Sequence, residues 1–204
     1  MSSRTLSVKW WAASGRRARG GIADWKPVPR ADREARDLLA QLNVTAPPVP
    51  LKDIARELGI EVVLQDFGGT DISAMLARDE AGDHPVIGVN KRQSENRRNF
   101  SIAHELGHFL LHQGKPLIVD RTRVNFRDTV SSMATDYDEV QANAFAAELL
   151  MPREFVFTAV RSFADQNEEF SSDELVASLA RDFGVSTAAM GYRLTNMGIV
   201  LPGD

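Results

Sequence analysis

His104-Glu105-Leu106-Gly107-His108 is the stretch on which the reading of this chain turns. Residues four apart are separated by about 400° around an α-helix, so the two histidines lie nearly on one face. Both imidazoles can then reach one metal ion from the same side. Glu105 is displaced by about 100°, which puts it beside such an ion rather than on it. There its carboxylate can take a proton from water. The string also arises by chance, so its surroundings must decide. Phe100, Ile102, Ala103, Leu106, Phe109, Leu110 and Leu111 supply the apolar surface of a helix. Ser94 or Asn96 can cap its start, and Gly114 and Pro116 stop it. Gly107 in mid-helix costs about 1 kcal/mol against alanine, so a bare backbone there points to close approach by another element or a ligand. Two satisfied core histidines are the alternative, and this context disfavours it.

Two histidines do not complete a site, because catalytic zinc usually takes three protein ligands and keeps a fourth position open. His112 lies about 12 Å along the helix from His104 and is too far to share an ion bound at about 2.0–2.1 Å. It is expected to hydrogen-bond near the helix end instead. The pattern that completes the site with a later histidine behind a glycine fails, since Leu111 and Gly114 stand at the two positions it needs. A second helix offers more. Residues 138–152 run from Asp138 to Pro152, and Ala142, Ala144, Ala146 and Ala147 keep that helix thin. Glu139 and Asn143 are four apart and share a face. Glu139 can bind the metal while Asn143 holds a ligand histidine from behind.

With these segments in order, the chain resembles the ImmA/IrrE metallo-endopeptidases. The resemblance is carried by Phe100 through His112 and by Glu139 through Pro152. It continues upstream in Ile72-Ser73-Ala74-Met75-Leu76 and Val86-Ile87-Gly88-Val89-Asn90, and covers about residues 50–152, with a looser match to the end. It implies an α+β fold: a zincin-like metallopeptidase core with a small antiparallel or mixed sheet packed on the active-site helix, and a helical C-terminal part. By position, His104, His108 and Glu139 match the family's metal ligands and Glu105 its catalytic base. Zn2+ suits a His2Glu site best, with Mn2+ as the alternative. Some members cleave helix-turn-helix repressors, so the implied partner is a protein substrate of that kind, or an antitoxin if the chain is the toxic half of a toxin–antitoxin pair. A third reading is a non-catalytic regulator whose tail binds DNA or a partner and whose metal is structural.

Length and composition fit this. The 204 residues, 43% hydrophobic and 25% charged, suit one soluble domain or one with a small appendage. There is no cysteine, so no disulfide and no thiolate site, which fits a reducing cytoplasm. No apolar run is long enough to span a membrane. The net charge of −4 hides an asymmetry: residues 1–30 carry seven Lys/Arg against Asp24 alone, leaving the remainder strongly acidic. An acidic body argues against direct nucleic-acid binding.

Three parts are expected along the chain. Residues 1–30 read as a flexible basic extension, with Trp10, Trp11 and Trp25 as anchors if it binds an acidic partner. Arg16-Arg17 is not followed by the apolar segment of an export signal. Residues 31–152 read as the peptidase core, with helices over 32–42 and 51–58, and strands near 60–64, 72–77 and 86–89. Either 72–77 or 86–90 is expected to be the sheet edge that pairs with an extended substrate. Tyr137, near Glu139, is a candidate donor to an oxyanion. Residues 153–204 read as a helical region. Two helices around the turn Gly184-Val185-Ser186 resemble a helix-turn-helix, but are expected to pack on the core, because Arg193 is the only basic group of the second.

Overall fold

The computed structural model describes residues 6–7, 28–69, 71–78, 84–112, 117–121 and 132–199. The expected basic extension 1–30 and the stop signals Gly114 and Pro116 fall mostly or wholly outside them. In chain order the elements are β1 (Leu6–Ser7), α1 (Pro29–Gln41), α2 (Leu51–Glu57), β2 (Glu61–Gln65), β3 (Ile72–Ala77), β4 (Val86–Asn90), α3 (Glu95–Leu111), β5 (Leu117–Arg121), α4 (Ser132–Leu150), α5 (Arg153–Gln166), β6 (Glu169–Phe170), α6 (Ser172–Phe183) and α7 (Thr187–Asn196). The fold is α+β, as expected.

Local chemistry sets most boundaries. Pro29 opens α1 within its first turn, where a missing N–H costs nothing. Of the two candidate caps for α3, Ser94 serves: its hydroxyl accepts from the Arg97 N–H at 3.4 Å. Ser171 and Glu174 form a reciprocal capping box at the start of α6. Gly184 ends that helix in the left-handed region at φ 64°, which a side chain would resist. Ser186 then caps α7, accepting from Ala189 N–H at 3.1 Å.

The four-stranded sheet has the order β2-β4-β3-β5. β2 and β4 run parallel, and the other pairs are antiparallel. This corrects the expected edge. Residues 72–77 and 86–90 are both interior strands, each paired on two sides, and the edges are β2 and β5. The cause is a strand that local pattern did not reveal: after α3 the chain returns to the sheet, and β5 pairs with β3, Met75 standing opposite Val119. The sheet packs on α3 through β3 and β4, while α4 lies against α3 on one side and α1 on another.

Gly107 explains how α4 comes so close. A Cβ there would sit 3.1 Å from Ala142 Cα, 3.2 Å from Ala142 O and 3.2 Å from the Phe145 ring. The first two are backbone atoms of α4 and cannot swing aside. Alanine at 107 would recover about 1 kcal/mol of helix propensity, against an overpacking penalty of about 1–3 kcal/mol. Gly107→Ala is therefore expected to lower stability by roughly 1 kcal/mol, read as a lower urea midpoint. An unchanged or raised midpoint would show that α3 and α4 separate without penalty.

The tail shares this core. Val156 and Val160 of α5, Leu175, Leu179 and Phe183 of α6, and Met190 and Leu194 of α7 are buried in one cluster with Leu38, Ile54, Ile87, Leu106 and Phe145. Arg193 points inward with only 6% exposure. Its Nε–H donates to Met151 O at 3.0 Å, and its guanidinium pairs with the buried Glu148 of α4. Arg36 of α1 reaches the other oxygen of that carboxylate at 3.4 Å. The basic group that would have faced a phosphate is therefore spent inside the protein. No helix among the described residues is long and apolar enough to cross a membrane.

Candidate metal centre

His104 and His108 project from one face of α3, and both are almost fully buried, at 3% and 2% exposure. Glu139, from the first half of α4, meets them across the contact that Gly107 permits. The two Nε2 atoms lie 3.0 Å apart. Glu139 places one carboxylate oxygen 3.2 Å from His104 Nε2 and the other 3.2 Å from His108 Nε2. Among the described residues these three form the group able to hold a metal ion.

The atoms facing each other are decided by what lies behind the rings. His104 Nδ1–H donates to Asn143 Oδ1 at 3.1 Å. An amide oxygen only accepts, so the proton of a neutral His104 sits on Nδ1 and Nε2 is bare. His108 Nδ1 lies 3.0 Å from His112 Nδ1, and His112 Nε2–H donates to Gln141 Oε1 at 2.9 Å. Two ring nitrogens and a carboxylate therefore converge with lone pairs inward, an arrangement that asks for a cation. The triangle they make also has the right size. Ligands bound at about 2.0–2.1 Å in a tetrahedron stand about 3.3 Å apart, close to the observed 3.0 and 3.2 Å. The residues present thus fit a small divalent ion.

The electrostatics agree. Burial disfavours the cationic form of His108 and holds its pKa below the ordinary imidazole value, even though Glu139 pulls the other way. For Glu139, burial works against the charged form, but the two imidazoles, when they carry protons in acid, outweigh it and hold the carboxyl well below the usual range. Both groups are therefore in the state a metal ligand needs at neutral pH.

Glu105 is fully buried on α3, one position after His104. Tyr137 is not brought into this cluster. It is 59% exposed and stands about 200° around α4 from Glu139. The expected exclusion of His112 from the triad agrees with its contacts, which are to the back of His108. The link from His112 to Gln141 had no signature in the sequence, because the two are 29 residues apart and on different helices.

A helical H-E-x-x-H string joined by a carboxylate from a second helix is the donor set of the zincin class of metallopeptidases. Residues 55–195 match the family model of Peptidase M78, the IrrE N-terminal-like domain. The chain belongs to this ImmA/IrrE family of metallopeptidases. It is 28% identical over 141 residues to "Metallopeptidase ImmA" of Bacillus subtilis (strain 168), covering 68% of this chain and 71% of that one. It is 32% identical over 105 residues to "Uncharacterized immunity region protein 2" of Bacillus phage phi105, covering 52% and 57% of the two chains. The fold is similar to that of a Mycobacterium tuberculosis transcriptional regulator, with a TM-score of 0.53 at 21% identity. That match covers 82% of this chain and 47% of the regulator, so the chain spans about half the regulator's length.

Proposed function

We propose that this protein is a zinc-dependent endopeptidase that cleaves a helix-turn-helix repressor and thereby switches on the genes the repressor holds silent. The observation that carries the reading is the convergence of His104 Nε2, His108 Nε2 and the Glu139 carboxylate, with Glu105 on the helix that carries both histidines. His104, His108 and Glu139 would hold the ion, Zn2+ in preference to Mn2+. When bound, the ion supplies a Lewis acid that polarises the scissile carbonyl and makes water nucleophilic at neutral pH.

The chain's own residues do the rest. Asn143 keeps the His104 ring turned inward. Glu105 takes the proton of the attacking water on its carboxylate and returns it to the leaving amine nitrogen as the C–N bond breaks. Burial of the two histidines and Glu105 keeps bulk water from competing for that proton. Residues 31–152 carry this machinery, and the tail packs into the same core through Val156, Val160, Leu175, Leu179, Phe183, Met190 and Leu194. The inward turn of Arg193 favours cleavage over DNA binding, because α7 then presents no cation to phosphate.

The reading is tested with the purified protein and helix-turn-helix repressors drawn from the genome that encodes it. A discrete cut in one of them that stops on chelation and returns with added Zn2+ supports it. Intact repressors under metal-loaded conditions, with gene induction unimpaired, overturn it. Ligand roles are tested separately. His108→Ala is expected to fold and lose its metal, measured by elemental analysis of the purified protein. Full stoichiometry in His104→Ala, His108→Ala and Glu139→Ala alike would remove the assignment.

A further inference from the structure

We propose that His112, backed by Gln141 and Asp138, is a positioning residue that holds His108 in the tautomer and rotation that leave its Nε2 lone pair facing the triad. The proposal rests on the reading of His108 as a metal ligand. Three contacts carry it. His108 Nδ1 lies 3.0 Å from His112 Nδ1. His112 Nε2 lies 2.9 Å from Gln141 Oε1 and 3.4 Å from the Asp138 carboxylate. His112 and Gln141 are both buried, so neither has bulk water as an alternative partner, and their pairing must be satisfied from within.

The direction of the relay follows from its far end. A neutral imidazole has one N–H and one bare nitrogen. The amide oxygen of Gln141 and the carboxylate of Asp138 both accept and do not donate. His112 therefore carries its proton on Nε2 and leaves Nδ1 bare. That bare Nδ1 must receive a proton donor, which places the proton of His108 on its own Nδ1. The Nε2 of His108 is then left with its lone pair toward His104 and Glu139. The opposite polarity would put a proton on His108 Nε2 and would leave the Asp138 carboxylate beside a bare ring nitrogen, two acceptors face to face.

The two ligand rings are thus held differently. His104 is held directly by Asn143 of α4. His108 is held by a ring one turn further along its own helix, and α4 fixes that ring in turn. The same approach of α4 that delivers Glu139 also delivers Asn143, Gln141 and Asp138. Partners of this kind behind a ligand histidine typically contribute a factor of about 10–100 in metal affinity.

The test compares wild type, His112→Phe, His112→Asn and the double variant Gln141→Leu with Asp138→Leu in full-length protein, by two measurements. Zn2+ affinity is measured by competition with a chromophoric chelator, and histidine tautomers by 15N NMR of the metal-free proteins. His112→Phe keeps a ring but has no acceptor, and is expected to bind Zn2+ roughly 10–100-fold more weakly. His112→Asn offers an amide oxygen near the place of Nδ1 and is expected to recover most of that loss. In wild type His108 should appear as the Nδ1–H form, and in His112→Phe it should shift toward Nε2–H. Equal affinity across the four proteins, or the same loss in His112→Phe and His112→Asn, overturns the proposal. If His112→Phe does not fold, Gln141→Leu combined with Asp138→Leu carries the test with both rings in place and neither acceptor behind His112: an unchanged His112 tautomer and unchanged affinity overturn it. Failure of the wild type to bind Zn2+ has a different meaning. It overturns the ligand set itself, and this proposal falls with it.

Discussion

Glu105→Gln is expected to fold, keep its metal and lose repressor cleavage by at least the roughly 10²–10⁴-fold typical of removing a general base. Glutamine preserves the size of the side chain and one acceptor oxygen but cannot take up a proton at neutral pH. Glu105 is fully buried on the helix that carries both ligand histidines, so water cannot readily substitute for the missing base. Metal content by elemental analysis and repressor binding by titration should match the wild type, while the rate of cleavage under single-turnover conditions collapses. Gene induction should disappear with it. Induction at the wild-type level with an intact repressor would mean that the protein acts by binding, and the proposed enzymatic role would have to be abandoned.

Arg193→Ala is expected to be the most damaging change away from the metal centre, at about 3–5 kcal/mol of unfolding free energy. The guanidinium is buried, pairs with the buried Glu148, and donates to Met151 O at 3.0 Å. Truncation leaves the Glu148 carboxylate inside the protein with Arg36 at 3.4 Å, a half-exposed group, and with the Arg153 N–H at 3.4 Å. It also leaves a cavity beside Met151. Burial first, and then Glu148, already push the carboxyl of Asp32 up, and Arg193 is one of the two cations that oppose this. A double replacement, Arg193→Met with Glu148→Leu, should recover much of the loss, because an apolar pair of similar volume needs no compensation for buried charge. Chemical denaturation of the three proteins checks this. A loss below 1 kcal/mol for Arg193→Ala would show the pair to be solvated, and would return α7 to contention as a phosphate-facing helix.

These results depend on different kinds of information. The helix of His104 and His108, the extent of β3 and the turn at Gly184 were all legible from local spacing and residue type, and the cap of that helix was narrowed to Ser94 or Asn96. So were the two elements of the site, since Glu139 and Asn143 stand four apart on a helix that small residues keep thin. Each of these follows from rules that act within a few residues: the 3.6-residue period, the demands of unpaired helix ends, and the left-handed conformation that glycine tolerates. Helix α5 was read only as part of a helical region and given no bounds of its own, since Pro152 supplies no side-chain cap, and α4 begins at Ser132 rather than at the acidic run near Asp138.

What only the tertiary structure decided lies between segments far apart in the chain. The sheet edge was misjudged because β5, which follows α3, pairs with β3 and makes it an interior strand. No pattern within β3 records which strands will flank it, since both of its edges carry the same backbone groups. Arg193 looks like any exposed helix cation until Glu148, 45 residues earlier, is brought beneath it. The need for closeness at Gly107 was visible, but the atoms that require it, Ala142 and Phe145, were not. The relay from His108 through His112 to Gln141 is of the same kind. The amino-acid sequence determined which chemistry the chain carries and on which elements, because spacing within a helix is local. Which groups stand behind and around that chemistry was decided by packing, because burial forces each polar group to find a partner wherever the fold brings one near.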